Sequence, residues 1–135
     1  MQIERPDMAR HGLILGLILA ALATSPAAAQ PGEAITISLT DYAFTPSSLD
    51  LKAGTVYRLH FTNGGSKDHD FTAPEFFVAS QVAAQDQGKI NRGTIAVGKG
   101  QEVEVTLTPV AGHYAFTCTH FMHKMMGMHG TITVQ

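Results

Sequence analysis

A single cysteine, Cys118, stands among the 135 residues, so no disulfide can form within the chain. Charge of one sign is also missing: nine Lys and Arg face eleven Asp and Glu, mixed along the sequence, for a net charge of −2. Without a basic stripe there is no electrostatic footprint for nucleic acid. The apolar run from Gly12 to Ala23 has 12 residues, well short of the roughly 20 that span a bilayer as a helix. No cysteine lies near Ala27-Ala28-Ala29, which excludes lipid attachment there. Beyond that stretch there is no internal repeat and no low-complexity tract.

What is present at the N-terminus reads as an export signal. Arg5, Arg10 and His11 precede the apolar run, and Pro26 with three alanines follows it. A basic region, a short apolar region and an A-x-A-like site define a cleavable secretory signal over residues 1–29. Met8-Ala9-Arg10-His11 would itself serve as the charged region. The mature chain then begins near Gln30 and is expected in the periplasm or outside the cell. Residues 30–135 amount to one domain with a modest core. In an oxidising compartment a lone thiol is a liability unless it is buried or ligated, which singles out Cys118.

The dominant period in the mature part is two. Ile35, Ile37 and Leu39 alternate with Thr36 and Ser38; Tyr57, Leu59 and Phe61 alternate with Arg58 and His60. Val103, Val105 and Leu107, then Tyr114 and Phe116, then Ile132 and Val134 repeat the pattern. Such alternation marks strands with one buried face. Shorter strands are expected at Ser48–Leu51, His69–Thr72 and Thr94–Val97, with turns at Thr45-Pro46-Ser47, Ala53-Gly54, Asn63-Gly64-Gly65-Ser66 and Gly98-Lys99-Gly100. About eight short strands predict an all-β, antiparallel sandwich or barrel. Pro74–Gly88 is the exception. Pro74 suits a first helical position, and Val78 and Val82 would share a helical face, so a short helix or loop insertion is expected there.

The chemistry concentrates near the C-terminus. All four methionines of the mature chain, Met122, Met125, Met126 and Met128, and three of its six histidines, His120, His123 and His129, fall within ten residues. If Tyr114 and Phe116 point inward, Cys118 does too, at the end of a core strand. Loop residues such as His123 and Met128 can then return over it, with Gly127 and Gly130 permitting a tight turn. Thiolate and thioether are soft ligands and imidazole suits copper; two histidines and a cysteine with a weak axial methionine define a blue-copper electron-transfer site. A second histidine must come from elsewhere. His69, after the Asn63–Asp68 turn and before Phe71-Thr72-Ala73, is the best placed.

The segment Cys118-x4-His123-x4-Met128-x-Gly130, between Tyr-x-Phe-x-Cys and Thr-Ile-Thr-Val, resembles the plastocyanin/azurin family of cupredoxins. The turn leading to His69 is similar to that family's first-ligand loop. The resemblance spans Ala34 to Val134 and implies a Greek-key cupredoxin sandwich binding one copper ion. It implies equatorial ligands His69, Cys118 and His123 and an axial Met128, in preference to His120 and Met126. It further implies that Asp70 and Thr119, each directly after a ligand, tie the two ligand loops together, with Asp70 bonding the backbone or hydroxyl of Thr119. The departure is crowding by His120, Met122, Met125, Met126 and His129. Helical spacing suggests that Met122, Met125 and Met126 pack a single turn onto the sandwich, an exposed docking rim being the other option.

The expected function is one-electron transfer by a monomer that meets redox proteins transiently near His123. It is not expected to be an enzyme: a saturated site offers no position to water or substrate, a binuclear copper site needs a second cysteine, and one small domain lacks a second metal site. The alternative is a copper chaperone or scavenger that takes Cu(I) on the His/Met-rich loop. Zinc held by Cys118, His69 and His123 ranks below both, because zinc makes no use of the methionines.

Overall fold

The computed structural model describes residues 32–135, and the export signal expected at residues 1–29 lies outside them. Ten strands follow in order: β1 (Glu33–Thr40), β2 (Ala43–Thr45), β3 (Ser48–Leu51), β4 (Tyr57–Asn63), β5 (His69–Thr72), β6 (Gln81–Val82), β7 (Thr94–Val97), β8 (Glu102–Thr108), β9 (Gly112–Thr117) and β10 (His129–Val134). Helix α1 (Pro74–Ala79) and a 3-10 turn at Ala84–Lys89 flank β6. The strands form two five-stranded sheets, β2-β1-β4-β8-β6 and β3-β10-β9-β5-β7.

The sandwich is the expected one, with two strands more than the alternation marks. Strands β2 and β6 are three and two residues long, too short to display a period. Two neighbouring pairs, β1 with β4 and β3 with β10, are parallel; the other pairs are antiparallel. Alternation reports which face of a strand is buried but carries no information about the direction of its neighbour.

The rows read from the sequence supply the core. Ile37, Leu39, Leu59, Phe61, Val105 and Leu107 line one sheet's inner face, and Phe71, Ile95, Val97, Phe116, Ile132 and Val134 the other's. Phe71 is the centre of an aromatic cluster: it stacks on Phe116 at 4.6 Å, tilts against Phe61 at 4.8 Å and meets Phe44 edge-on at 5.8 Å. Such pairs add roughly 0.5–1.5 kcal/mol each beyond the area they bury. His60 and His113 stay off the core, beside Glu102 and Thr133.

The helical insertion exists, with Pro74 in its first turn, but it buries a different face from the one expected. Phe76 and Phe77 turn inward, against Tyr114 and Phe71 respectively, whereas Val78 is exposed and Val82 belongs to β6. Two adjacent phenylalanines remove far more apolar area from water than two valines, so they set the rotation of so short a helix.

Candidate metal centre

The ends of β5 and β9 position the first two residues. These antiparallel strands share one register pair, Thr72 with Thr117. Continuing that register sets Phe71 opposite Cys118 and Asp70 opposite Thr119, but past Thr117 no backbone ladder continues. The side chain of Asp70 takes over. Its carboxylate accepts the Thr119 N–H at 3.0 and 3.2 Å and the Thr119 hydroxyl at 2.7 Å, while Thr72 donates to it at 2.7 Å. The carboxylate acts as a longer rung that keeps the strands joined while they splay. On the inner face, Phe71 stacked on Phe116 fixes the same two strands two residues from His69 and Cys118. His69 and Cys118 are thereby held at the mouth of the core, both almost fully buried.

The loop after Cys118 brings in the other two. Cys118 N–H donates to the Met128 carbonyl at 3.1 Å, and Met128 N–H donates to the His123 carbonyl at 3.1 Å. Two backbone bonds thus chain Cys118, Met128 and His123 to one another. Gly127 adopts φ +98° just before Met128, a conformation that side chains disfavour. Gly130 serves differently from the turn expected of it: the Phe116 ring lies where its Cβ would be, so it makes room for the core rather than for the turn. Met128 is fully buried and His123 nearly so.

His69 Nδ1, His123 Nδ1 and Cys118 Sγ form a buried triangle with sides of 3.2 Å between the nitrogens and 3.9 and 3.4 Å from sulfur to His69 and His123. A point equidistant from the three atoms lies about 2.0 Å from each, where zinc, as a gauge of size, bonds nitrogen at roughly 2.0 Å and sulfur at roughly 2.3 Å. The triangle therefore has the dimensions of a first-row metal site, and Met128, buried and bonded through its backbone to Cys118 and His123, is carried by the same loop. Burial, helped by the neighbouring His69 and His120, pushes the His123 pKa down and keeps its ring neutral. Burial also pushes the Cys118 thiol up, so occupying the site means displacing its proton.

Two contributors escaped the sequence reading, and a third, Asn63, was read only as the start of a turn. Asp41, in the β1–β2 turn, accepts from His69 Nε2 at 2.8 Å, which fixes the ring and leaves Nδ1 to face the triangle. Asp41 is in turn held by the backbone N–H and hydroxyl of Ser66, and these bonds, with the one from His69, hold its carboxyl far below the usual range. Its neighbour Tyr42 meets the His123 ring edge-on at 4.9 Å. One short turn thus reaches both histidines. Asn63, buried at the end of β4, donates to the carbonyls of Lys67 and Val97 and accepts from Gly65 N–H, shaping the loop that delivers His69. Nothing in the local sequence links Asp41 to a residue 28 positions away; the only signal was an Asp between two strands.

The remaining candidates lie outside the triangle. His120 is exposed, 3.6 Å from the Asp70 carboxylate, and its ring stacks on His123 at 5.5 Å. His129 is exposed at the start of β10. Met122, Met125 and Met126 do not pack onto the sandwich as helical spacing suggests: all three are exposed, on the turn that links β9 to β10. A cleft of about 540 Å³, lined by Thr72, Phe116, Thr117, Lys124 and Gly130 among others, includes none of His69, Cys118, His123 and Met128.

The sequence profile of the cupredoxin-like domain matches residues 12–134, and the chain belongs to that family as a small, single-domain member. Among solved structures it is similar to auracyanin B, at 27% identity over 80% of this chain and 92% of that one, with a TM-score of 0.57. Reduced auracyanin from the photosynthetic bacterium Roseiflexus castenholzii is 20% identical over 77% of this chain and 98% of that one, also at 0.57. A multicopper oxidase from Campylobacter jejuni shares the fold at 16% identity and a TM-score of 0.60, but this chain spans only 31% of its length. No curated protein matches the chain significantly. Among the described residues no helix is long and apolar enough to cross a membrane.

Proposed function

We propose that the protein is an exported, monomeric one-electron carrier that holds one copper ion on His69, Cys118, His123 and Met128. The observation that carries this reading is the buried triangle of two imidazole nitrogens and one thiol sulfur at metal-binding separations. Membership of the cupredoxin-like family and the likeness to auracyanins support it. Copper, when bound there, supplies a one-electron Cu(I)/Cu(II) couple.

The chain's part is to hold the donors still and dry. Asp41 orients His69, Tyr42 packs on His123, and the Asp70–Thr119 rung sets the separation of the strand ends. Donors fixed in advance need to move little when the charge at the centre changes by one, which keeps the barrier to transfer low. Phe71, Phe116 and Met128 exclude water from beneath. His123 is the least buried of the four, at 6% exposure, and so offers the shortest route to a redox partner docked on that end.

The test is spectroscopic. One equivalent of Cu(II) added to the purified protein is expected to produce an intense visible thiolate-to-copper band, absent from Cys118→Ser. Colour that survives the substitution, or its absence from the parent protein, sinks the assignment.

A further inference from the structure

The exposed turn above the buried centre is chemically odd. Met122, Met125 and Met126 are 47, 82 and 55% exposed, whereas Met128, in the same loop, is fully buried. Every methionine among the described residues lies in this loop, and the loop has no Leu, Ile or Val. Met126 N–H donates to the Met122 carbonyl at 3.1 Å, closing a tight turn. That bond folds the chain back on itself, so three exposed thioethers are carried within one five-residue turn. Met122 itself holds φ at 68°, a backbone conformation a non-glycine residue rarely takes and one that tends to mark functional positions.

Apolar area alone does not account for three exposed methionines. Leucine would give the same area for docking and would resist oxidation, to which surface thioethers are prone. What methionine adds is a soft sulfur donor, which prefers Cu(I) to Cu(II) or zinc. We propose that Met122, Met125 and Met126 form a second, solvent-facing Cu(I) site that captures the ion and passes it inward to the buried centre. The position suits the task, since His123 lies within the turn, between Met122 and Met125, its carbonyl accepts from Met126 N–H, and Met128 follows two residues after Met126. In the transfer, Cu(I) exchanges surface thioethers for the Cys118 sulfur and the histidine nitrogens; the Cys118 S–H bond breaks, its proton goes to water, and copper keeps its oxidation state. The inference extends the copper reading of the buried centre, yet it is measured separately from it.

The experiment titrates Cu(I) into protein that already holds one copper ion as Cu(I), against a colorimetric Cu(I) chelator, while following the methionine ε-methyl signals by NMR. A second equivalent is expected to bind and to shift the methyls of Met122, Met125 and Met126 but not that of Met128. The triple variant Met122→Leu, Met125→Leu, Met126→Leu changes exposed side chains with little change of volume. It is expected to lose the second equivalent, to keep the first and its visible band on oxidation, and to load the empty protein from a Cu(I) chelate about tenfold more slowly, having lost the local concentration that capture provides. Retention of two equivalents by the triple variant overturns the site, and an unchanged loading rate overturns the relay. A second equivalent on the thioethers of a protein that never shows the visible band would leave this site standing and remove the electron-carrier reading instead.

Discussion

Replacing Asp70 with Ala tests whether the side-chain rung between β5 and β9 builds the centre. Asp70 is 4% exposed and receives three donors: the Thr119 N–H, the Thr119 hydroxyl and the Thr72 hydroxyl. The two hydroxyls can find other partners, Thr72 with Thr94 at 2.8 Å and the exposed Thr119 with water. The Thr119 N–H bonds only to Asp70, and a hydrogen bond to a charged acceptor contributes about 1.5–3 kcal/mol. Asp70→Ala should therefore cost the metal-free protein about 2–3 kcal/mol, or roughly 10 °C or more in melting temperature for a domain near 100 residues. Thr119→Val removes only the hydroxyl and should cost about 1 kcal/mol or less. Because Thr119 directly follows Cys118, copper affinity should fall by about 10–100-fold in Asp70→Ala, the usual loss when a ligand's outer support is removed. Thermal and urea unfolding of the apoprotein measure the first quantity, and competition with a chelator measures the second. A stability loss below about 0.5 kcal/mol would refute the rung. A large loss of stability with unchanged copper affinity would show that the rung holds the fold together without positioning the centre.

Two further outcomes are expected from residues that are not themselves ligands. A Cβ on Gly65 would stand 2.5 Å from Asp41 Oδ1 and 2.9 Å from His69 Nε2, so Gly65→Ala should wedge that hydrogen bond open at about 1–3 kcal/mol; an unshifted His69 ring resonance and an unchanged unfolding midpoint would count against the contact. Asp86 ties the 3-10 turn to β8 by accepting from Lys89 at 2.6 Å and from Thr106 N–H at 2.8 Å. Burial pushes its pKa up, but Lys89 and the Thr106 N–H outweigh that and hold it below the ordinary 3.8. A depressed folded pKa means the stabilisation is complete above the unfolded value and disappears as pH falls through the folded one. Asp86→Asn should therefore flatten the loss of stability below about pH 4, and an acid-unfolding curve parallel to the parent's would contradict this.

The parts of this structure legible in the sequence were those written in short range. Alternation at Tyr57, Leu59 and Phe61 named the inner face of β4 because a strand's side chains alternate strictly, whatever lies beside it. Cys118, His123 and Met128 were legible as a group because one loop carries all three. The parallel pairing of β1 with β4 was not legible, since a row of buried residues reads the same in either direction. The rotation of α1 was misread because two valines at helical spacing were weighed above the bulkier Phe76 and Phe77. Asp41 and Tyr42 were invisible for a different reason: their role is set by where the β1–β2 turn ends up, above both histidines, and no pattern in residues 40–45 encodes that.

The same distinction explains how the centre is built. Its donors come from two places in the chain, but their spacing is fixed by ties at three levels. The Phe71–Phe116 stack sets the strands from below, the Asp70–Thr119 rung sets them from the outer face, and Asp41 with Tyr42 closes the top. Only the middle tie adjoins the ligands in sequence on both sides. A tie made at one level alone would let the ends of β5 and β9 pivot, since they share a single register pair. With all three in place, the two nitrogens and the sulfur have no common direction in which to relax. The loop that carries His123 and Met128 bonds to itself and to Cys118, so it can present an exposed turn to solvent without loosening the donors beneath. That separation is what allows soft, oxidisable side chains to stand at the surface while the thiol stays buried.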